Sequence, residues 1–273
     1  MVAALRNLCQ LLPYLPVTAD LKAFRKKGEA MLAERQNSRT ANQDLFQHLL
    51  AKDSESGCRF TQAELTANAH LAIFAGSDTT ASTLTQTIWK LCSHQDVLAK
   101  LQKEMDEAWA KEGKLDVETT RGLPYLNAVV NEALRLLSAV ASGVQATTPP
   151  EGLEIKGIFI PGRVQVMVSH MVLMMDERYF LNAEKFWPER WLDNGVGVKD
   201  RRAWIPFGYG VHSCVGKQLA TNELRLVVAN VVREFDLQFG EGYSEQKFVD
   251  EWKDYMVLNL GPLPMKFIPR SFT

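Results

Sequence analysis

The stretch Phe207-Gly208-Tyr209-Gly210-Val211-His212-Ser213-Cys214-Val215-Gly216 sets a cysteine and a histidine on a backbone punctuated by three glycines. Glycine lets a chain turn tightly and come close to a flat ligand. Downstream the pattern becomes helical, from about Cys214 to Asp236. That places Cys214 at a helix start, where the dipole favours a thiolate over a thiol. A thiolate is a strong, soft ligand for iron, while a structural cysteine at a crowded helix start is the competing reading of these ten residues. The glycines do not complete GxGxxG, which argues against a dinucleotide loop. His212 lies too close to Cys214 to act as its base. A His/Cys metal site would need two further ligands, and none is nearby in sequence.

Upstream, residues 179–215 are rich in aromatics, proline and glycine and read as a long ordered loop. Loops of that length in compact domains are usually functional. Within it, Phe186-Trp187-Pro188-Glu189-Arg190-Trp191 carries one cation among aromatics. Further upstream a helix opens at Pro124, a residue suited to a first turn. Its apolar stripe is Leu126, Val129, Val130, Ala133, Leu136 and Leu137, and it holds Glu132-Ala133-Leu134-Arg135. Residues three apart share a helix face, so Glu132 and Arg135 can pair. An exposed pair of this kind contributes little. The apolar neighbours predict a buried one, which needs a further partner, and Arg190 is the candidate.

The longest helical pattern runs from Thr61 to about Cys92, opening on a Thr61/Glu64 capping box. Leu71-Ala72-Ile73-Phe74-Ala75 are apolar all round, which predicts a buried middle. Ala75-Gly76-Ser77-Asp78-Thr79-Thr80 follows. Gly76 favours a groove or kink, and Asp78 and Thr79 put a carboxylate and a hydroxyl just beyond it. Ser93 is expected to cap the next helix, with Val97, Leu98, Leu101 and Met105 on its apolar face. Short helices are expected near Asp44–Ala51 and His170–Asp176. Strands are expected at Val144–Thr148, Leu153–Ile155, Ile158–Ile160, Val164–Val168, Leu237–Phe239, Val257–Leu260 and Met265–Ile268. Pro161-Gly162 marks a tight turn among them. The fold class is therefore mainly α with a small β region.

The bulk numbers agree with a globular protein: 273 residues, 46% hydrophobic and 23% charged. A formal net charge of −1 argues against nucleic acid as a partner. Cys9, Cys58, Cys92 and Cys214 are too scattered for a disulfide framework or a structural zinc site. No apolar run reaches the roughly 18 residues of a membrane span. The apolar start, MVAALRNLCQLLPYLPV, is broken by Arg6, Gln10, Pro13 and Pro16 and reads as a membrane-surface or core contact.

Taken together and in order, AGSDTT at 75–80, ExxR at 132–135, PER at 188–190 and FGxGxHxCxG at 207–216 resemble the cytochrome P450 family of haem-thiolate monooxygenases, most closely its fungal members. The resemblance covers the chain from about Asp44 onward. It implies the C-terminal half of that fold, read as one partial haem-binding domain over 1–273, with Met1 near the family's mid-domain loop and the N-terminal segment missing.

The resemblance also implies roles. Cys214 is the proximal thiolate on the iron of haem b, and such ligation pushes electron density onto the metal and favours O–O cleavage. Phe207 packs beside it, and Gly208 and Gly216 shape the loop. His212 stands where the family often has an arginine touching a haem propionate. Gln145 and Ala146 occupy the neighbourhood of a second such arginine. Glu132, Arg135 and Arg190 lock the fold around the loop, and Asp78 and Thr79 manage protons on the distal side. Leu71–Ala75, Ala139–Val144 and Tyr255–Val257 face an apolar small-molecule substrate. Lys199, Arg201, Arg202 and Lys217 form a positive patch for an NADPH-dependent reductase.

The family further implies association with the endoplasmic reticulum membrane, although this chain contains no transmembrane segment. The expected activity is insertion of one oxygen atom from O2 into that substrate, in secondary metabolism. A haem-thiolate isomerase or dehydratase needing no electrons, and a non-catalytic remnant serving as a binding or scaffold protein, are the alternatives.

Overall fold

Several of the helices begin where the sequence supplies a cap or an early proline. The computed structural model describes residues 18–38, 44–51, 57, 59–192 and 196–272. The first seventeen residues, with Cys9, and also Cys58 lie outside these. Helix α1 is Thr18–Asn37. Helix α2 (Leu45–Leu50) opens on Asp44, whose carboxylate accepts from the Gln47 N–H. Helix α3 (Gln62–Ser93) opens on the expected capping box. There Thr61 N–H donates to Glu64 at 2.7 Å, and Glu64 N–H donates to Thr61 Oγ1 at 3.3 Å.

Helix α4 (Gln95–Glu112) starts at His94 and not at Ser93. Ser93 stays inside α3, where its hydroxyl donates back to the Trp89 carbonyl at 3.0 Å, a local bond that competes with capping. Helix α5 (Val117–Arg121) is capped by Asp116. Helix α6 (Pro124–Leu136) has no side-chain cap of its own. Glu104 of α4 supplies one, accepting from the Tyr125 and Leu126 N–H groups at 2.8 Å each.

Two antiparallel hairpin-like pairs follow. Strand β1 (Gln145–Thr147) runs against β4 (Gln165–Met167) with Gln145 opposite Met167, and β2 (Leu153–Ile155) runs against β3 (Ile158–Ile160). Helix α7 is His170–Met174, capped by Ser169. The long loop after it is ordered by three short 3-10 turns at Pro188–Trp191, Arg201–Ala203 and Gly210–His212. Helix α8 (Lys217–Glu234) leads directly into β5 (Phe235–Phe239), then α9 (Glu245–Asp250), β6 (Lys253–Asp254), β7 (Leu258–Asn259) and β8 (Met265–Pro269). Strand β5 pairs with β8, and β6 with β7.

The chain divides into two compact units, Met1–Ser77 and Asp78–Thr273, with the boundary inside α3. In the first, α1 meets α3 at Gly28, where an added Cβ would stand 2.3 Å from the His70 ring. Leu32, Leu65 and Ala69 make a small core there. In the second, α4, α6 and α8 bury their apolar stripes against one another, with Leu101, Leu126, Val129, Ala133 and Val228 fully enclosed.

The expected burial of α3 falls elsewhere. Leu71 and Phe74 are exposed, whereas Gln86, Thr87, Trp89, Leu91 and Cys92 are buried. Apolarity all round signals that a segment wants cover, and the described residues leave this one bare. Gly76 introduces no break in the helix assignment.

Candidate haem-binding site

The Cys214 loop is closed by its own backbone. Gly208 N–H donates to the Ile205 carbonyl at 3.0 Å, Ser213 N–H to Gly210 at 3.0 Å, and Cys214 N–H to Phe207 at 2.8 Å. Gly208 (φ +70°) and Gly210 (φ +79°) take left-handed conformations that a side chain would strain. Helix α8 starts later than expected, with Gly216 as its N-cap. Cys214 therefore sits ahead of the first turn, joined to it by Lys217 N–H donating to the Cys214 carbonyl at 3.4 Å. A Cβ at Gly216 would lie 3.7 Å from Cys214 Sγ, an ordinary contact. This glycine flanks the sulfur without being required by it for space.

The cysteine loop carries uncovered apolar side chains beside exposed polar ones. Cys214 is a free, exposed thiol. Val211 and Val215 are 96% and 100% exposed, and Tyr209 and Leu219 are also exposed. Phe207, by contrast, packs into the main core and anchors the loop's base. Among the described residues no group of three or more His, Cys, Asp or Glu side chains could share a metal ion. An exposed thiol on a loop with uncovered apolar side chains fits a flat, apolar macrocycle.

Behind the loop lies the polar lock. Glu132, Arg135 and Arg190 are all fully buried. The Glu132 carboxylate accepts from Arg135 Nε and Nη2, Arg190 Nε, Trp187 N–H and Trp191 Nε1, all at 2.9–3.0 Å. The two guanidiniums spend their remaining donors on carbonyls. Arg135 reaches Met174 at 2.8 Å and Lys185 at 3.3 Å. Arg190 reaches Leu181 at 2.6 Å, Gly197 at 3.0 Å, Asn182 at 3.1 Å and Lys185 at 3.2 Å. Burial lowers the Arg190 pKa, but guanidinium remains charged in proteins. The lock thus staples α6 to residues 181–191 and to Gly197. Trp191 stands edge-on to Trp204 at 5.6 Å, and Trp204 donates to the Asn131 carbonyl at 3.2 Å.

The structure thus brings Glu132, Arg135 and Arg190 together, and keeps Phe207, Gly208, His212, Cys214 and Gly216 on one loop. His212 is exposed on the Gly210–His212 turn. Asp78 and Thr79 stand on α3. Asp78 is exposed and Thr79 is half-buried. Gln145 and Ala146 lie exposed on β1.

Lys199, Arg201, Arg202 and Lys217 are exposed. Arg202 pairs with Asp200 at 2.7 Å, and Lys199 donates to the Glu177 carbonyl at 2.8 Å. Of the substrate-facing expectations, Val144, Tyr255 and Met256 are exposed, and Leu258 N–H donates to the Ala139 carbonyl at 2.9 Å.

Sequence reading missed Trp187 and Trp191 as donors to Glu132, and missed Glu104 as the cap of α6. The Trp191 indole was visible as an aromatic in the PER segment, whereas Trp187 donates through its backbone N–H. Nothing local to Glu104 reveals a helix start twenty residues on.

The family model described as Cytochrome P450 matches residues 18–267. The chain belongs to the cytochrome P450 family. It is 35% identical over 259 residues to a cytochrome P450 monooxygenase, phqL, of Penicillium fellutanum, which covers 93% of this chain and 45% of that protein. It is 34% identical to Cytochrome P450 67 of Uromyces fabae (99% of this chain, 52% of the relative) and 36% identical to tryprostatin B 6-hydroxylase of Aspergillus fumigatus (81% and 40%). The P450 chain thus spans about half the length of these curated relatives. The crystal structure of the cytochrome P450DA heme domain matches with a TM-score of 0.80 at 23% identity, over 93% of this chain and 55% of that one. This likeness agrees with the mainly helical fold. Among the described residues no helix is long and apolar enough to cross a membrane.

Proposed function

We propose that this P450 chain carries the haem-thiolate centre of a monooxygenase that inserts one oxygen atom from O2 into an apolar small molecule, in secondary metabolism. The observation that carries the reading is the exposed Cys214 thiol on a hydrogen-bonded loop edged by uncovered Val211 and Val215. Relatives named as monooxygenases and as a tryprostatin B 6-hydroxylase support the reaction class.

Haem b supplies dioxygen binding and activation when bound. Cys214 would hold the iron through its sulfur, and the Phe207 carbonyl fixes the Cys214 amide. Tyr209, Val211 and Val215 would exclude water from the bound cofactor. His212 would donate to one of its carboxylates. Thr79 Oγ1 and the Asp78 carboxylate would hold and pass protons. Exposed apolar side chains at Val144, Tyr255 and Met256 orient the substrate. Electrons come from NADPH through a reductase that docks on Lys199, Arg201 and Lys217. By family likeness the setting is the endoplasmic reticulum membrane.

The test is the spectrum of reduced protein under carbon monoxide. The expected result is the red-shifted Soret band of thiolate ligation, lost in Cys214→Ser. Cys92→Ser keeps the band, because burial pushes the Cys92 thiol up to about 11 and encloses it. Folded wild-type protein that takes up haem yet gives no such band overturns the proposal.

A further inference from the structure

Glu189 is the neighbour of Arg190 in the lock, yet its side chain goes elsewhere. Its Oε1 accepts from Lys100 Nζ of α4 at 2.6 Å and from the Tyr125 hydroxyl of α6 at 3.0 Å. Burial alone would raise the Glu189 carboxyl, but these bonds outweigh it and hold it below the usual range. Burial, with Glu189 beside it, pushes the Tyr125 phenol well up, so its proton stays in place to donate.

Consecutive side chains in a 3-10 turn point about 120° apart. The Pro188–Trp191 turn is therefore gripped on two sides. Glu132 holds Arg190 and Trp191 from within, while Lys100 and Tyr125 hold Glu189 from without. The spacing on the helices matches. Tyr125 and Glu132 are seven residues apart, on one face of α6, and Lys100 and Glu104 are four apart, on one face of α4. Glu104 in turn pins the first turn of α6 through the Tyr125 and Leu126 amides. The result is a closed frame of α4, α6 and the turn. From it a line of contacts leads to the cysteine loop: Trp191 to Trp204 at 5.6 Å, then Lys217 standing 6.0 Å from both the Trp204 and Phe207 rings, then the Phe207 carbonyl on the Cys214 amide.

We propose that Lys100, Glu189 and Tyr125 form an outer clamp of positioning residues that sets the Cys214 loop by holding the Pro188–Trp191 turn against α4 and α6. The inference rests on the haem-thiolate reading for its spectral consequence and on the fold alone for its mechanical one, so two measurements separate them. The first is hydrogen exchange on the full chain without haem. Glu189→Ala should speed amide exchange across 187–191 and 204–214 by about tenfold, the factor for about 1.4 kcal/mol of local opening free energy, with α8 beyond Leu224 unchanged. Glu189→Gln keeps an oxygen acceptor and should restore most of the protection.

The second is the carbon monoxide spectrum of haem-loaded protein. Glu189→Ala and Lys100→Met should lower the share of thiolate-ligated haem several-fold at equal haem content, and Glu189→Gln should recover it. Unchanged exchange over 204–214 in Glu189→Ala overturns the clamp, whatever the spectrum shows. Faster exchange there with no thiolate band even in the wild type upholds the clamp and overturns the haem-thiolate reading instead. Exchange that rises equally throughout α8 marks general destabilisation and also overturns the clamp.

Discussion

Replacing Glu132 with glutamine separates the charge of the lock from its shape. Five donors converge on the carboxylate, two of them guanidinium arms of Arg135, one from Arg190 and two from the Trp187 amide and Trp191 indole. All three charged side chains are fully buried. Glutamine offers one acceptor oxygen and turns an NH2 toward groups that themselves donate. It also leaves two buried cations with no counter-charge. Breaking a buried pair in this way costs about 3–5 kcal/mol, against a total stability of about 5–15 kcal/mol for a typical fold. For a unit of this size each kcal/mol moves Tm by roughly 2–4 °C, so the expected fall is about 6–20 °C. The assay is thermal and denaturant unfolding of wild type and Glu132→Gln, both without haem.

A built-in control has the same spacing. Arg121 and Glu118 are also three apart on a helix, but at 3.9 Å and mostly exposed. Glu118→Gln should leave Tm unmoved, because exposed pairs contribute next to nothing. If Glu132→Gln unfolds within about 1 kcal/mol of the wild type, charge pairing does not hold this loop and the reasoning fails.

Two further outcomes follow from the placement of single residues. Thr79→Ala should leave haem bound while diverting reducing equivalents to peroxide; substrate-coupled oxygen use that stays as tight as in the wild type removes Thr79 from any proton role. His170 is buried, its Nδ1 has no hydrogen-bond partner among the described residues, and burial lowers its pKa from 6.5. The unfolded chain therefore binds this proton more readily than the folded one. Its contribution to stability is complete above about pH 6.5 and is lost as pH falls toward the folded value. Denaturation midpoints should drop over that range, and His170→Phe should flatten the slope. A slope unchanged by the substitution assigns the effect to other groups.

How much of this was legible in sequence depended on whether a side chain finds its partner nearby. The Thr61/Glu64 box, Pro124 at a first turn and the strand at Leu153–Ile155 were readable because their determinants lie within a few residues. ExxR with its apolar neighbours showed a buried pair and pointed to Arg190, but not the tryptophan donors that complete the enclosure. Glu118 and Arg121 have the same spacing and stay outside, and what encloses Glu132 comes from Trp187 to Trp191, over fifty residues on. Helices Thr18–Asn37, Val117–Arg121 and Glu245–Asp250 went unread. The first has little apolar periodicity, and the other two are too short to show any. Leu71 to Ala75 misled because apolarity demands cover without saying what provides it.

The division between satisfied and bare surface bears on how the site works. Every guanidinium nitrogen of the lock has a partner in the protein, and the loop's backbone bonds are made without help from a ligand. Val211, Val215 and Tyr209 have none of that support. Enclosing a valine contributes about 1.5 kcal/mol or more relative to leaving it in water. On the haem-thiolate reading proposed above, a flat cofactor laid on these side chains would gain apolar contact in addition to a bond to sulfur.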